Sequence, residues 1–238
     1  MATDREETTQ ALVLCAHGSG GGSAAAKKLA AVIRKRNEFD RVEVCCLKGS
    51  PSVADALRAV VGLDTVLVPL LMAEGYTYDV LLRGQLSDVG PAADRVRLSR
   101  PVGVHPRLAD IAVAQARDEC RRQGWASDDI HILVAAHGTP KHPATGASAE
   151  ALAARIEAQN IFSAVQVAFL ENSPSIAEAL RAVKPDPCVV VGFFLDAGDH
   201  ADSDVPAAIA EAHPAAGYTG AIGRDPAIAD IIVDLARR

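Results

Sequence analysis

The sequence lacks the features that mark several large classes of protein. Aromatic residues make up only 4% of its 238 residues, and no apolar run approaches the length of a membrane-spanning helix. Met1 to Glu7 lack the apolar core of a signal peptide. The five cysteines show no C-x-x-C spacing, and four of them lie in strand-like apolar runs, where cysteine acts as a small hydrophobe. We therefore expect a soluble cytoplasmic protein, with residues 1–9 as a disordered leader.

No basic run exceeds a few residues. The net charge of −6 argues against a nucleic-acid partner, because proteins that bind phosphate backbones usually carry a basic surface. The chain has no G-x-S-x-G elbow and no P-loop, and its glycine-rich segment after His17 differs from the dinucleotide fingerprint. Gly18 to Gly22 could still hold a phosphate with backbone N–H groups ahead of a helix, and this alternative stays open.

What the sequence does contain is an internal duplication. The segment Leu-Val-Leu-Cys-Ala-His-Gly-Ser that includes His17 returns as Leu-Val-Ala-Ala-His-Gly-Thr, which includes His137, 120 residues later. Lys-Gly-Ser-Pro-Ser from Lys48 returns as Glu-Asn-Ser-Pro-Ser from Glu171, 123 residues later. One ancestral unit was therefore duplicated. We expect two tandem lobes, an N-terminal lobe over residues 10–125 and a C-terminal lobe over residues 126–238.

Each half alternates apolar runs of strand length with helix-like segments. Apolar runs of this kind predict parallel strands with helices on both faces, so each half should be a doubly wound α/β unit. The predicted strands are Ala11–Ala16, Val42–Leu47, Thr65–Leu71, Arg95–Val102, Ile132–Ala136, Ala164–Leu170, Cys188–Leu195 and Thr219–Ile222. Helices are predicted from Ser23 to Arg36 and from Asp110 to Gln123. Ser50-Pro51 and Ser173-Pro174 are predicted helix starts, with serine as N-cap and proline in the first turn.

The two copies differ at three loop positions that follow successive strands. The first copy has His17, Lys48 and Thr77, and the second has His137, Glu171 and His200. The carboxyl ends of parallel strands meet at one edge of a sheet, so the second set should converge there. Two imidazoles and a carboxylate suit first-row divalent metals, whereas the first set does not. The sequence therefore predicts the second set as the catalytic and metal-binding residues.

Each of these residues also has a simpler interpretation on its own. A His-Gly pair after a strand can serve only as a turn and a helix cap, and Glu171 alone could be a solvated carboxylate. His200 lies in an acidic loop that lacks the ligand pattern of an EF-hand. The acids of that loop either gather cations near His200 or are simply solvated; they are Asp196, Asp199, Asp202 and Asp204.

Taken together, these motifs resemble the sirohydrochlorin chelatase family, the small class II chelatases that insert cobalt or iron into sirohydrochlorin. The resemblance rests on His-Gly-Ser or His-Gly-Thr after the first strand, Phe-Leu-Glu before Ser-Pro-Ser, and Gly-x-His after the third strand. It implies two chelatase-like lobes that face each other across a cleft for the flat macrocycle. It also implies that His137 and His200 bind the metal and that Glu171 is their acidic partner. In the first lobe only His17 matches.

The resemblance further implies a carboxylate-rich tetrapyrrole as substrate. Basic groups must then offset the acidic net charge locally, and we expect Lys48, His17, Lys141 and Arg83 to contact the substrate. His142 and Arg224 are further basic candidates. The metal is a substrate, so no permanently bound cofactor is expected, and two lobes in one chain favour a monomer. Whether the inserted metal is cobalt or iron stays open. Two alternatives also stay open: a chelatase for another tetrapyrrole, and a non-catalytic carrier of metal or tetrapyrrole.

Overall fold

The structure is a computed structural model that describes residues 10–18, 23–139, 144–184, 186–196, 198 and 200–238. Four features of the sequence lie outside the described residues. They are the leader at 1–9, residues 19–22 of the glycine-rich segment, the basic pair Lys141 and His142, and Asp199 of the acidic loop. In the part of the chain that is described, no helix combines the length and the apolar character needed to cross a bilayer.

The first half forms a four-stranded parallel sheet with the strand order β2-β1-β3-β4. Its strands are β1 (Gln10–Ala16), β2 (Arg41–Cys46), β3 (Asp64–Leu70) and β4 (Val96–Leu98). Its helices are α1 (Ala24–Arg34), α2 (Val53–Ala59), α3 (Arg83–Val89) and α4 (Leu108–Gln123). A π-helical turn, Thr77–Leu82, precedes α3, and a short 3-10 turn, Val102–Val104, precedes α4.

The second half repeats this arrangement, with the strand order β6-β5-β7-β8. Its strands are β5 (His131–Ala136), β6 (Ala164–Phe169), β7 (Cys188–Gly192) and β8 (Gly217–Ala221). Its helices are α5 (Ala144–Glu157), α6 (Ile176–Val183), α7 (Val205–Ala212) and α8 (Ile228–Arg237). A π-helical turn, His200–Asp204, again follows the third strand. The predicted fold, two doubly wound parallel α/β lobes from a duplication, is confirmed.

The predicted strands agree with the observed ones to within two residues at each end, except at two carboxyl ends. The fourth strand was predicted to run to Val102, but β4 ends at Leu98. Pro101 lacks the N–H group that a continuing strand would donate to the sheet. The seventh strand was predicted to run to Leu195, but β7 ends at Gly192, where its pairing with β8 shifts register.

The two predicted Ser-Pro helix starts are wrong. The helices begin later, at Val53 and Ile176, and their N-caps are Ser52 and Ser175. Each cap hydroxyl accepts the backbone N–H three residues on, while the side chain there, Asp55 or Glu178, accepts the N–H of the cap. This reciprocal capping box satisfies two helix-end donors, which a cap at the serine two residues earlier would leave without partners. The Ser-Pro peptide bonds are cis and precede the caps.

The halves exchange their last helices. Helix α4, from the first half, packs against β7, β8 and α5, while α8 packs against α1 and β3. Ile231 and Ile232 of α8 are fully buried, in one continuous apolar core that includes strands of both sheets. We propose that residues 10–125 and 126–238 are the two repeat units, and the exchange joins them into one body.

The cysteines behave as the sequence predicts for small hydrophobic residues. All five are buried with free thiols. Burial raises the pKa of Cys188 to about 12, so this thiol stays protonated at neutral pH. None of the five has the exposed, electropositive surroundings of a reactive cysteine.

Candidate metal centre

The structure brings His137, Glu171 and His200 together at the carboxyl edge of the second sheet. His137 directly follows β5, Glu171 follows β6, and His200 opens the π-helical turn after β7. The Nε2 atom of His137 lies 3.8 Å from Oε2 of Glu171. The imidazole rings of His137 and His200 are stacked, with 4.7 Å between their centroids and 27° between their planes. The three side chains come from separate loops, and only the parallel sheet brings them together.

The backbone after β5 fixes the position of His137. The carbonyl of His137 accepts the backbone N–H of Glu171 at 3.0 Å, so the loops that carry these two residues are hydrogen-bonded to each other. The next residue, Gly138, has φ +67°, in the left-handed region that L side chains rarely adopt. A Cβ atom there would lie 2.8 Å from Cβ of Phe169. The turn that presents His137 therefore requires glycine.

This requirement gives a stability prediction. We expect Gly138→Ala to lower the free energy of unfolding by about 3 kcal/mol, from backbone strain and overpacking against Phe169 together. Gly62→Ala is the matched control, since Gly62 also has positive φ but has no atom within 4 Å of a Cβ. Gly62→Ala should lower the free energy of unfolding by only about 1 kcal/mol, because backbone strain is its only cost. Urea unfolding of both variants measures the difference, and equal losses would show that contact with Phe169 does not matter.

Asp204 orients the ring of His200. The Nδ1–H group of His200 donates to Oδ2 of Asp204 at 2.7 Å, which leaves Nε2 as the nitrogen that can bind a ligand. The sequence reasoning missed this role of Asp204. The available signal was its position four residues after His200, because residues at that spacing on a helical turn are neighbours.

The three side chains are open to a ligand but do not form a closed coordination sphere. About half of each side chain is exposed: 47% of His137, 54% of Glu171 and 51% of His200. Within the described residues, no group of three or more His, Cys, Asp or Glu side chains is arranged to hold a metal ion. Stacked rings face each other, so binding one ion through both requires rotation of an imidazole. An open, incomplete ligand set suits a metal that must leave again.

The acidic loop is held by specific partners. Oδ2 of Asp196 accepts the hydroxyl of Ser23, which lies in the other half of the chain, at 2.7 Å. Asp202 accepts Arg224 at 2.5 Å, and Asp204 holds His200. Thus the three described acids of this loop are engaged with partners, rather than simply solvated.

Among the described residues, the corresponding edge of the first sheet has no such set. His17 is exposed, with Nδ1 3.1 Å from the carbonyl oxygen of Gly18, and exposed Lys48 donates its backbone N–H to the carbonyl of His17. Thr77 opens the π-helical turn that His200 opens in the second half. This edge offers one imidazole, an ammonium and a hydroxyl.

Of the other two predicted substrate contacts, the structure describes Arg83 but not Lys141. The Arg83 guanidinium lies 4.9 Å from the centroid of the Tyr78 ring, and its Nε atom is 3.9 Å from Asp79. Arg83 is therefore held against its own helical segment. Lys141 lies outside the described residues, as do residues 19–22 of the glycine-rich segment.

The chain is similar to a known protein family and to individual proteins with a named function or a solved structure. The family model CbiX matches the chain twice, over residues 11–119 and 131–238. A protein of Halobacterium salinarum named "probable sirohydrochlorin cobaltochelatase" is 29% identical over 266 aligned positions, which cover 95% of this chain and 90% of that protein.

Two solved structures share the fold over 96% of this chain. One is a multi-domain protein of Deinococcus radiodurans described as structurally similar to chelatases, with a TM-score of 0.82 and 27% identity. This chain spans 55% of that protein, which has additional domains. The other is SirB from Bacillus subtilis with Fe³⁺, with a TM-score of 0.80, 17% identity and 94% of that chain covered.

Proposed function

The chain belongs to the CbiX family, and on that premise we propose that it inserts a divalent metal ion, Co²⁺ or Fe²⁺, into sirohydrochlorin. The observation that supports this most strongly is the meeting of His137, Glu171 and His200 at an open sheet edge. The relative named as a cobaltochelatase and the SirB structure with iron support the two metals.

Metal insertion exchanges two protons of the macrocycle for one divalent cation. A metal-free tetrapyrrole carries two pyrrole N–H protons, which leave as the divalent ion enters. Neutral imidazoles bind first-row divalent ions, and a site with few protein ligands leaves positions for the macrocycle nitrogens. In this proposal His137 and His200 deliver the metal through their ring nitrogens. Glu171 either completes the metal site or accepts a pyrrole proton.

The first lobe would contribute contacts to the substrate rather than to the metal. Lys48 stands where the second lobe has Glu171, on the loop bonded to His17. An ammonium at this position would pair with a substrate carboxylate. We propose Lys48, His17, Lys141 and Arg83 as substrate-binding residues; of the four, Arg83 would first have to leave its contacts with Asp79 and Tyr78.

The role of Lys48 can be tested by binding. We expect Lys48→Ala to weaken the affinity for metal-free sirohydrochlorin about tenfold, the effect of losing one charge-assisted hydrogen bond. Lys35→Ala is the control, because Lys35 is an exposed lysine just beyond the far end of α1. Absorbance titration of both variants gives the two affinities. Unchanged affinity in Lys48→Ala would exclude Lys48 as an anchor.

The rival proposal is a carrier that binds metal and tetrapyrrole without catalysing their reaction. It is favoured by the first lobe, which lacks the second histidine and the acid. Turnover separates the two. With the protein at one twentieth of the sirohydrochlorin concentration, a chelatase converts all of the substrate faster than the protein-free control. Conversion at the control rate would leave only the carrier.

The same assay addresses which metal and which macrocycle react. Rates with Co²⁺ and Fe²⁺ compare the two metals, and an apolar porphyrin in place of sirohydrochlorin tests the alternative of another tetrapyrrole. We further propose that the protein acts in the cytoplasm as a monomer, with the metal as a substrate and without a permanently bound cofactor.

A further inference from the structure

A cavity of about 280 Å³ lies between the two halves, and neither His137 nor His200 lines it. Its wall on one side comes from the loop after β3 and the start of α4, and on the other side from α5. The lining combines apolar side chains with polar and charged ones, and it includes Glu74, Arg100, Val104, Leu108, Leu152 and Arg155.

The internal repeat explains why a cavity exists on this side of the molecule. The corresponding contact on the other side is closed by the hydrogen bond from Ser23 to Asp196. With the offset of 123 residues, Ser23 corresponds to Gly146 and Asp196 corresponds to Ala73. Neither of these has a side chain that could form the bond, so the space between α5 and the loop after β3 stays open.

Two arginines line the cavity, and the repeat shows that both are particular to this side. Arg155 corresponds to Val32, and Arg100, at the offset of 120 residues that applies there, corresponds to Gly220. The other side carries its own cations, Arg224 and Lys28, where the cavity has Val104 and Ala151. The cavity therefore combines the loss of a closing hydrogen bond with cations at two different positions, 100 and 155.

The two arginines differ in their partners. Arg100 donates to both carboxylate oxygens of Glu74, at 2.7 and 3.0 Å, so these two charges compensate each other. Exposed Arg155 has neither an ion pair nor a side-chain hydrogen bond among the residues that the structure describes. Most other arginines in the described ranges do have such partners.

The remaining titratable group of the lining adds no charge. Nε2 of His105 is bonded to Asp234 at 2.7 Å, and its Nδ1 accepts the backbone N–H of Arg107 at 3.3 Å. Burial lowers the pKa of His105 despite the carboxylate. The cavity thus presents one uncompensated positive charge, that of Arg155, beside the apolar side chains of Val104, Leu108 and Leu152.

We propose that this cavity binds a carboxylate carried on a short apolar arm, with the guanidinium of Arg155 as its partner. A planar guanidinium can donate two parallel hydrogen bonds to a carboxylate, and the aliphatic lining accommodates the arm. Such a group has two sources: a carboxylate arm of the macrocycle, or a free short-chain carboxylic acid. The first source rests on the proposed function, whereas the anion site itself does not.

Calorimetric titrations with two probes, metal-free sirohydrochlorin and sodium butyrate, test the site. The proteins are the wild type, Arg155→Gln and a control, Arg117→Gln. Arg117 is an exposed arginine of α4 that likewise has no ion pair among the described residues and does not line the cavity. If the macrocycle is the source, Arg155→Gln should weaken sirohydrochlorin binding about tenfold, and Arg117→Gln should not.

Loss of butyrate binding in Arg155→Gln, with sirohydrochlorin binding unchanged, would instead support a site for a free carboxylic acid. The proposal is overturned if Arg155→Gln binds both probes as the wild type does. Metal insertion is measured separately on the wild type. A wild type that binds sirohydrochlorin through Arg155 but inserts no metal would contradict the proposed function and leave the carboxylate site standing.

Discussion

Replacement of His137 or His200 by alanine is expected to lower the rate of Co²⁺ insertion into sirohydrochlorin by about 100-fold or more. Even the outer-shell partners of metal ligands typically contribute about 10–100-fold to affinity or activity, and a ligand itself should contribute at least as much. The two rings lie only 4.7 Å apart, so each variant removes half of the imidazole pair. Both side chains are about half exposed, and neither supports the core.

The duplication provides a matched control for this experiment. His17 occupies the position in the first lobe that His137 occupies in the second, and its backbone carbonyl makes the corresponding bond to Lys48. At saturating sirohydrochlorin, His17→Ala should therefore keep a turnover number within a few-fold of the wild type, and the loss of a substrate contact at His17 should appear only in KM. Activity is followed by absorbance, and circular dichroism checks that each variant is folded. Equal losses in all three variants would contradict a site confined to the second lobe.

The second large effect is expected at Glu171. Glu171→Gln keeps the size of the side chain but removes its charge and its ability to accept a proton. We expect the turnover number to fall by about 100-fold, the lower end of the range for a general base. Glu211→Gln is a suitable control, because Glu211 is an exposed glutamate that pairs with Arg181 on the surface. A Glu171→Gln rate within twofold of the wild type would exclude both roles for this residue.

The same variant separates the two roles of Glu171. If the carboxylate is a metal ligand, Glu171→Gln weakens Co²⁺ binding in parallel with turnover. If it accepts the pyrrole proton, Co²⁺ affinity stays the same, and the acidic limb of the pH–rate profile disappears. The 3.8 Å between Glu171 and His137 is compatible with either arrangement after a small movement.

Much of the fold and the position of the site could be predicted from the sequence. Apolar runs predicted all eight strands, because parallel strands are buried on both faces and leave a strong signal. The site could be located because ligands bind at the carboxyl ends of such strands. The duplication helped further: Lys48 and Glu171 hold corresponding positions with opposite charge, and this difference indicated which lobe carries the acid.

The remaining features depend on packing that a sequence pattern does not encode. The apolar face of α4 predicts burial, but it does not specify which sheet covers it, so the helix exchange went unpredicted. The bond between Ser23 and Asp196 joins residues 173 positions apart and had no sequence signal. The Ser-Pro error had a different origin: two overlapping helix-start signals were present, and the capping box was the stronger.

The comparison of the two lobes also shows how a duplicated unit can divide its tasks. Both lobes keep the turn after the first strand and the π-helical turn after the third. Only the second has a histidine at both of these turns and an acid, Glu171, after its second strand, and the interface beside α5 carries the cavity with Arg100 and Arg155. We propose that one lobe handles the metal, while the first lobe and this interface bind the carboxylates of the substrate.

The most direct test of the metal centre is X-ray absorption spectroscopy of the Co²⁺-loaded protein. The wild type and His17→Ala should both show two imidazole ligands, from His137 and His200, and His137→Ala should show one. The contrary result, in which His17→Ala loses an imidazole while His137→Ala keeps both, would move the metal to the first lobe.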